Sequence, residues 1–436
     1  MHACSRNDTI VRHLFPLEEV PGVISLLAGK PNASTFPFTS LSFTARSPTD
    51  PSDNQQFSLT EPELNEGLQY GMVEGQTGFN RWLAELQETE HKRRYDVGEG
   101  GENWRLCVTT GSQDGLYKTI HALVNPEDPV LVESSVYAGV LPIFDSLECE
   151  IIEVGTDAQG IITRSLSSIL ESWPALKPKP KVLYTVPYGS NPSGVTTSLE
   201  RRLDVLKLAR QHNFLILEDD PYYYLYFGTS PRIPSYFNLE AQTGTVGHVV
   251  RFDSLSKILS AGIRIGFVTG PIPILNAIDM HTTSINLQPC SLVQSIVFAL
   301  LQQWGHSGFM EHTRTVAEFY RKKRDVFETA MQDYLGKEGL AEWSTPNAGM
   351  FFWFKLLLSP DAQEVGDSET IIRTKAFENG VLALPGTVFL PNGQKTGYVR
   401  ASFSLLSEAE VREALRRLRD VILAERERRA SLSSNF

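Results

Sequence analysis

Through the middle of the chain, short apolar runs alternate with stretches whose apolar residues recur at helical spacing. Arg105-Leu106-Cys107-Val108-Thr109 is one run, closed by Gly111 and followed by an amphipathic stretch through Leu123. Val130-Leu131-Val132, Val182-Leu183-Tyr184-Thr185-Val186, Phe214-Leu215-Ile216-Leu217, Val249-Val250-Arg251-Phe252 and Ile265-Gly266-Phe267-Val268 are further runs. Between Val186 and Phe214, Leu199, Leu203 and Leu206 keep helical spacing over a charged face of Arg201, Arg202, Lys207 and Arg210. Buried strands separated by helices predict an α/β fold with a mainly parallel sheet between helices. In such sheets ligands bind beyond the carboxyl ends of the strands.

The pattern changes towards the C-terminus. From Met310, the residues Val316, Phe319, Tyr320, Val326, Phe327 and Ala330 outline a long helix that leads to a strand over residues 349–354. The last helix opens on Ser407 and Glu410, a capping-box pair, and keeps Val411, Leu415, Leu418 and Ile422 on one face. Its charged end, residues 426–429, is expected to fray. We therefore expect an N-terminal arm over residues 1–45, a large α/β domain over 46–305 and a smaller α+β domain over 306–436.

Composition narrows the function classes. Of the 436 residues, 41% are hydrophobic and 21% charged, an ordinary soluble balance, and the formal charge of -11 argues against a nucleic-acid surface. The four cysteines (Cys4, Cys107, Cys149, Cys290) form no CxxC pair, and the nine histidines show no metal-ligand spacing. No metal site is expected, and a reducing compartment fits the isolated cysteines. Arg6, Asp8, Arg12, His13, Glu18 and Glu19 interrupt any signal-peptide core, no membrane span is expected, and Ser434-Asn435-Phe436 is no targeting signal. The cytosol is the expected location.

Candidate chemistry gathers at the ends of the apolar runs. Ser254-Leu255-Ser256-Lys257 is followed, seven positions after the lysine, by Arg264. A lysine that condenses with an aldehyde must first lose its proton, and a phosphate needs hydroxyls and a fixed guanidinium. Thr110-Gly111-Ser112-Gln113 joins a strand to a helix start, where free backbone N–H groups favour an anion. Glu218-Asp219-Asp220-Pro221-Tyr222-Tyr223 closes another strand, and a carboxylate buried there requires a cation. Tyr188-Gly189-Ser190-Asn191-Pro192-Ser193-Gly194 follows a third, and Arg400 stands alone in the β-prone Tyr398-Val399-Arg400-Ala401-Ser402. Gly29-Lys30 lacks the Ser or Thr of a phosphate-binding loop, since residue 31 is Pro, and no GxGxxG follows the first strand.

In this order the motifs resemble the fold-type-I pyridoxal-phosphate enzymes, class I aminotransferases. Gln69-Tyr70-Gly71, the Asp-Asp-Pro-Tyr-Tyr run and Val399-Arg400-Ala401-Ser402-Phe403 look like the kynurenine/α-aminoadipate and fungal aromatic branch. The resemblance implies pyridoxal 5'-phosphate, with Lys257 as its Schiff-base lysine and proton carrier. It implies that Asp220 pairs with the ring nitrogen, that Asn191 and Tyr223 bind the ring oxygen, and that Tyr137 stacks on the ring. Ser112, Gln113, Ser254, Ser256 and Arg264 would hold the phosphate, with Tyr70 reaching the phosphate of a neighbouring subunit in a homodimer. Arg400 would take the substrate carboxylate, with Asn191, Gly29 and Lys30 lining the substrate site.

The activity so implied moves an amino group between an aromatic, kynurenine-like or aminoadipate-like amino acid and a 2-oxo acid such as 2-oxoglutarate. Lys30 departs from the branch, whose residue there is usually apolar, and would favour a distal carboxylate. A C–S or β-lyase on the same scaffold would keep the same lysine, aspartate and arginine. A non-catalytic regulator needs an additional N-terminal domain, for which the residues before Ser25 leave little room.

Overall fold

The computed structural model describes residues 17, 20–27, 29–50, 52–95, 103–359 and 366–433. Cys4, the charged residues Arg6, Asp8, Arg12, His13, Glu18 and Glu19, and the C-terminal tripeptide lie outside the described residues. The chain divides into two compact units, Met1–Pro126 with Phe237–Thr313, and Glu127–Tyr236 with Arg314–Phe436.

The first unit is built on three strands, Trp104–Thr109, Gly266–Pro271 and Val249–Ser254, in that order. Val249, Val250, Phe252, Phe267 and Val268 are fully buried, each stabilising the fold by roughly 1.5–3 kcal/mol. These neighbours pair antiparallel, in keeping with an expected sheet that is mainly parallel but mixed. The cause is the connection: only two short 3₁₀ turns, Leu255–Lys257 and Ala261–Ile263, lie between Ser254 and Gly266. A parallel return needs a crossover helix. The register sets Thr109 beside Gly266 and Gly266 beside Ser254, so all three strands end in one row. From that row the chain enters the Ser112–Leu123 helix, which buries Gly115, Leu116, Thr119 and Ile120. A Cβ at Gly115 would meet the Val268 Cγ2 at 2.5 Å, which is why the helix can lie so close to its strand.

The second unit carries four parallel strands in the order Leu215–Asp219, Val182–Thr185, Pro129–Glu133 and Glu150–Val154. The expected helix is present as Leu199–His212, but with another face inward. Leu199 and Leu203 are exposed, whereas Arg202 is buried with Val205, Leu206 and Ala209. Arg202 is satisfied inside: it donates to the carbonyls of Thr197 (3.0 Å), Pro187 (3.0 Å) and Pro234 (3.1 Å) and lies 4.5 Å over the Tyr188 ring.

The same unit holds a four-stranded antiparallel sheet, Ala341–Trp343, Phe351–Leu356, Tyr398–Ser402 and Leu384–Pro385. Its apolar face packs with Phe327, Met331, Leu415, Leu418 and Ile422. The Glu408–Ser433 helix opens on the expected capping box, with the Ser407 N–H 2.7 Å from Glu410 Oε2. Its charged end is held rather than frayed, because Arg426 donates to the Leu357 and Gly339 carbonyls at 2.6 Å. Among the described residues no helix is long and apolar enough to cross a membrane.

Candidate active site

In the first unit, the predicted phosphate residues converge at the common end of the three strands. Gly111 caps the Ser112–Leu123 helix with φ 83°, in the region that favours glycine. A Cβ there would stand 2.3 Å from Arg264 Nη2, so any other residue would push the guanidinium out of its place as well as strain the backbone. Arg264 donates through Nη1 to Ser256 Oγ and to the Ala261 carbonyl, both at 3.2 Å, and through Nη2 to the Thr110 carbonyl at 3.3 Å. The Ser254 hydroxyl accepts the Ser256 N–H at 3.3 Å and so shapes the turn that ends on Lys257. A Cβ on Gly266 would meet Ser112 N at 2.5 Å, so that glycine is what admits the helix start to the row. Behind it, Asp253 and Arg251 form a buried pair at 2.8 Å, and Gln87 donates to Asp253 at 3.1 Å. The result is a cup of helix N–H groups, two hydroxyls and a fixed guanidinium, an arrangement suited to a phosphate.

In the second unit, Arg400 Nη1 donates to Asn191 Oδ1 at 2.8 Å. The guanidinium lies 4.2 Å from the Phe351 ring centre and 5.1 Å from that of Phe389. Its Nε is buried and has no hydrogen-bond partner, an orphan donor that a ligand carboxylate would satisfy. Burial holds the Arg400 pKa below its ordinary value, and Tyr222 and Tyr137 work against that shift. The Tyr137 hydroxyl is pushed up by burial and by Asp219, with Arg400 pulling the other way, so Tyr137 and Arg400 share one electrostatic neighbourhood. Asp219 accepts the Tyr184 hydroxyl at 2.6 Å, and the adjoining Asp220 is buried. Tyr223 begins the Tyr223–Leu225 turn, with its ring edge-on to Tyr188 at 5.4 Å and Arg232 4.4 Å over its face.

Of the other predicted residues, Gly29, Lys30 and Tyr70 are exposed. Gln69 Nε2 donates to the Pro31 carbonyl at 2.9 Å, which keeps the 29–31 segment beside Tyr70. Gln113 sits in the first turn of its helix, half-buried.

Glu133 was missed. It closes its strand fully inside the protein, accepting the Thr185 hydroxyl at 2.5 Å and the Ser190 hydroxyl at 3.4 Å. Among the described residues no cation lies on it, and burial pushes its pKa up to about 7. The signal was available: Glu133 ends an all-apolar strand as Asp219 does, and its partner Ser190 precedes Asn191.

Residues 59–418 match the family described as aminotransferase class I and II. The chain belongs to the class I and II aminotransferases. The aminotransferase tdiD of Emericella nidulans is 41% identical over 414 residues, 94% of this chain and 92% of that protein. The mitochondrial kynurenine/alpha-aminoadipate aminotransferase of Bos taurus is 39% identical over 92% of each chain. Among solved structures, the Candida albicans aminotransferase Aro8 superposes with a TM-score of 0.87 at 25% identity, covering 97% of this chain and 96% of that one. The fold is thus that of the fold-type-I aminotransferases, and the enzyme transfers amino groups with pyridoxal phosphate as cofactor. The residues present suit this group: the glycine-lined cup offers a place for its phosphate, and the orphan Arg400 Nε a place for a substrate carboxylate.

Proposed function

We propose that this aminotransferase takes an aromatic, kynurenine-like or aminoadipate-like α-amino acid as donor and a 2-oxo acid such as 2-oxoglutarate as acceptor. The observation that carries the reading is Arg400, with its paired Asn191, its orphan Nε and its flanking Phe351 and Phe389 rings. A planar guanidinium with one donor engaged and others free takes a carboxylate in two-point fashion. The names of the relatives, kynurenine/alpha-aminoadipate and aromatic amino acid aminotransferases, support the substrate class.

The cofactor, when bound, supplies an electron-withdrawing ring that accommodates the charge left when the substrate loses a proton. In this reading Ser112, Gln113, Ser254, Ser256 and Arg264 hold its phosphate, and Asp220 keeps its ring nitrogen protonated. Asn191 and Tyr223 hydrogen-bond its ring oxygen, and Tyr137 covers its face. Arg400 and Asn191 orient the substrate by its carboxylate, and Lys257 removes and returns the proton at the substrate α-carbon. General acid–base help of this kind is typically worth about 10²–10⁴-fold. Gly29 and Lys30 line the substrate site, and Lys30 favours a distal carboxylate.

We further propose a cytosolic homodimer in which Tyr70 serves the neighbouring subunit. Support comes from an exposed apolar group, Tyr70, Met72, Ile285 and Leu287, which surrounds the bond from the Gly71 N–H to Gln288 Oε1. The division into arm (1–45), cofactor domain (46–305) and small domain (306–436) stays part of the same proposal.

A donor panel against 2-oxoglutarate and phenylpyruvate tests the substrate reading. Aromatic or aminoadipate-type donors are expected to give the highest kcat/KM, and release of pyruvate or thiol without any 2-oxo acid would overturn transfer in favour of a lyase. In the same panel Lys30→Leu should lower kcat/KM for acidic substrates relative to aromatic ones. An unchanged ratio removes Lys30 from the site.

A further inference from the structure

The first unit contains a buried lysine that the reaction does not use. Lys118 is fully buried on the inner side of the Ser112–Leu123 helix, and its ammonium donates to Asp114 Oδ2 at 2.9 Å and to Asn286 Oδ1 at 3.3 Å. Asp114 Oδ2 also accepts the Thr110 N–H at 2.9 Å. Thr110 is the residue whose carbonyl receives Arg264, so Asp114 and Lys118 grip the rim of the phosphate cup from behind.

On its other side, Lys118 meets a tight turn. The Gln288 N–H returns to the Asn286 carbonyl at 2.6 Å across Leu287, whose φ is 61°. An i to i+2 bond around a positive-φ, non-glycine residue is a strained γ-turn, maintained only where the surroundings over-determine it. The turn aims the Gln288 side chain, whose Oε1 accepts the Gly71 N–H while its Nε2 donates to Ser291 Oγ at 2.7 Å. Gly71 adjoins Tyr70, and the Tyr70 N–H is bonded to Gln69 Oε1 at 3.0 Å. Every link from Thr110 to Tyr70 is thus a hydrogen bond or a short stretch of backbone.

We propose that Lys118, with Asp114 and Asn286, is a positioning device that ties the setting of the phosphate cup to the setting of the Tyr70 segment. The inference rests on the proposed phosphate roles of the cup and of Tyr70, and gives a reason for a cation to be enclosed between a helix start and a surface turn. Removing water from an ammonium is costly unless its donors find acceptors, and here a carboxylate and a side-chain carbonyl take two of the three. Neither partner is part of the cup, so the pair transmits position and does not contact the ligand.

The test is a double-mutant cycle on cofactor affinity. Cofactor-depleted full-length enzyme is titrated with pyridoxal phosphate, and Kd is read from quenching of intrinsic fluorescence. Asn286 is exposed, so Asn286→Ala cuts the link at a position that tolerates change. Asn286→Ala and Tyr70→Phe should each weaken binding by about tenfold, and the double variant by no more than the worse single. Asn286→Asp, which keeps an acceptor for Lys118, should restore the wild-type Kd, a rescue that loss of packing alone would not give. Multiplying effects, or an Asn286→Asp variant as weak as the alanine, would overturn the tie and leave the phosphate roles standing. An unchanged Kd in Tyr70→Phe would instead remove Tyr70 from the cofactor site, and the tie with it.

Discussion

A carboxyl group enclosed by protein keeps its proton until enough donors or a cation replace the lost water. Glu133 has two hydroxyls and a backbone N–H but no cation among the described residues, and its pKa stands at about 7. Its ionisable neighbours Tyr184 and Tyr236 are pushed up by burial and stay neutral through that range. The folded form therefore retains a proton that the unfolded chain releases near its usual value of 4.5. Stability from this group is full below about pH 4.5, falls as pH rises, and is lost above about 7, a loss of about 3 kcal/mol. Glu133→Gln should flatten that slope, so its urea midpoint should gain on wild type between pH 5 and pH 8. A midpoint difference independent of pH would show that Glu133 is ionised throughout. Lys257, Arg264, Asp220 and Arg400 stand out as candidates in the sequence because each is chemically conspicuous where it stands. Glu133 was not, since glutamate at a strand end is ordinary and only the folded arrangement puts it against Ser190.

Elements were legible wherever periodicity and length agreed, as in the Leu199–His212 and Glu408–Ser433 helices and the central strands. Direction and facing were less so. Antiparallel pairing of Val249–Ser254 with Gly266–Pro271 follows from the missing crossover helix, which a strand-by-strand reading does not weigh. The inward Arg202 was hidden because its acceptors are carbonyls of Thr197, Pro187 and Pro234, which leave no side-chain signature. The helix start at Ser112 carries its own prediction. In Gly111→Ala the new Cβ must displace Arg264 from a backbone at φ 83°. Cofactor affinity should fall by at least about tenfold, while the far-UV spectrum is kept. Equal affinity would mean that Arg264 does not hold the phosphate.

At the scale of the whole molecule, the chain spans nearly the full length of its aminotransferase relatives and divides into two compact units. The unit with the three antiparallel strands holds Lys257 and the residues proposed for the phosphate, and the unit with the parallel strands holds Asp220, Asn191 and Arg400. Family and cofactor were readable from the ordered motifs alone, because amino-group transfer needs a lysine, a ring-nitrogen carboxylate and a carboxylate-binding arginine together. Side-chain preference was not, because no residue type names a substrate and Lys30 is exposed in the single chain. Lys257 is the proposed attachment point of the cofactor. Borohydride reduction of the cofactor-loaded enzyme, followed by peptide mass spectrometry, tests it directly. The phosphopyridoxyl mass should appear on the peptide containing Lys257 and be absent in Lys257→Ala. The label on another lysine, or its persistence in the variant, would contradict the account.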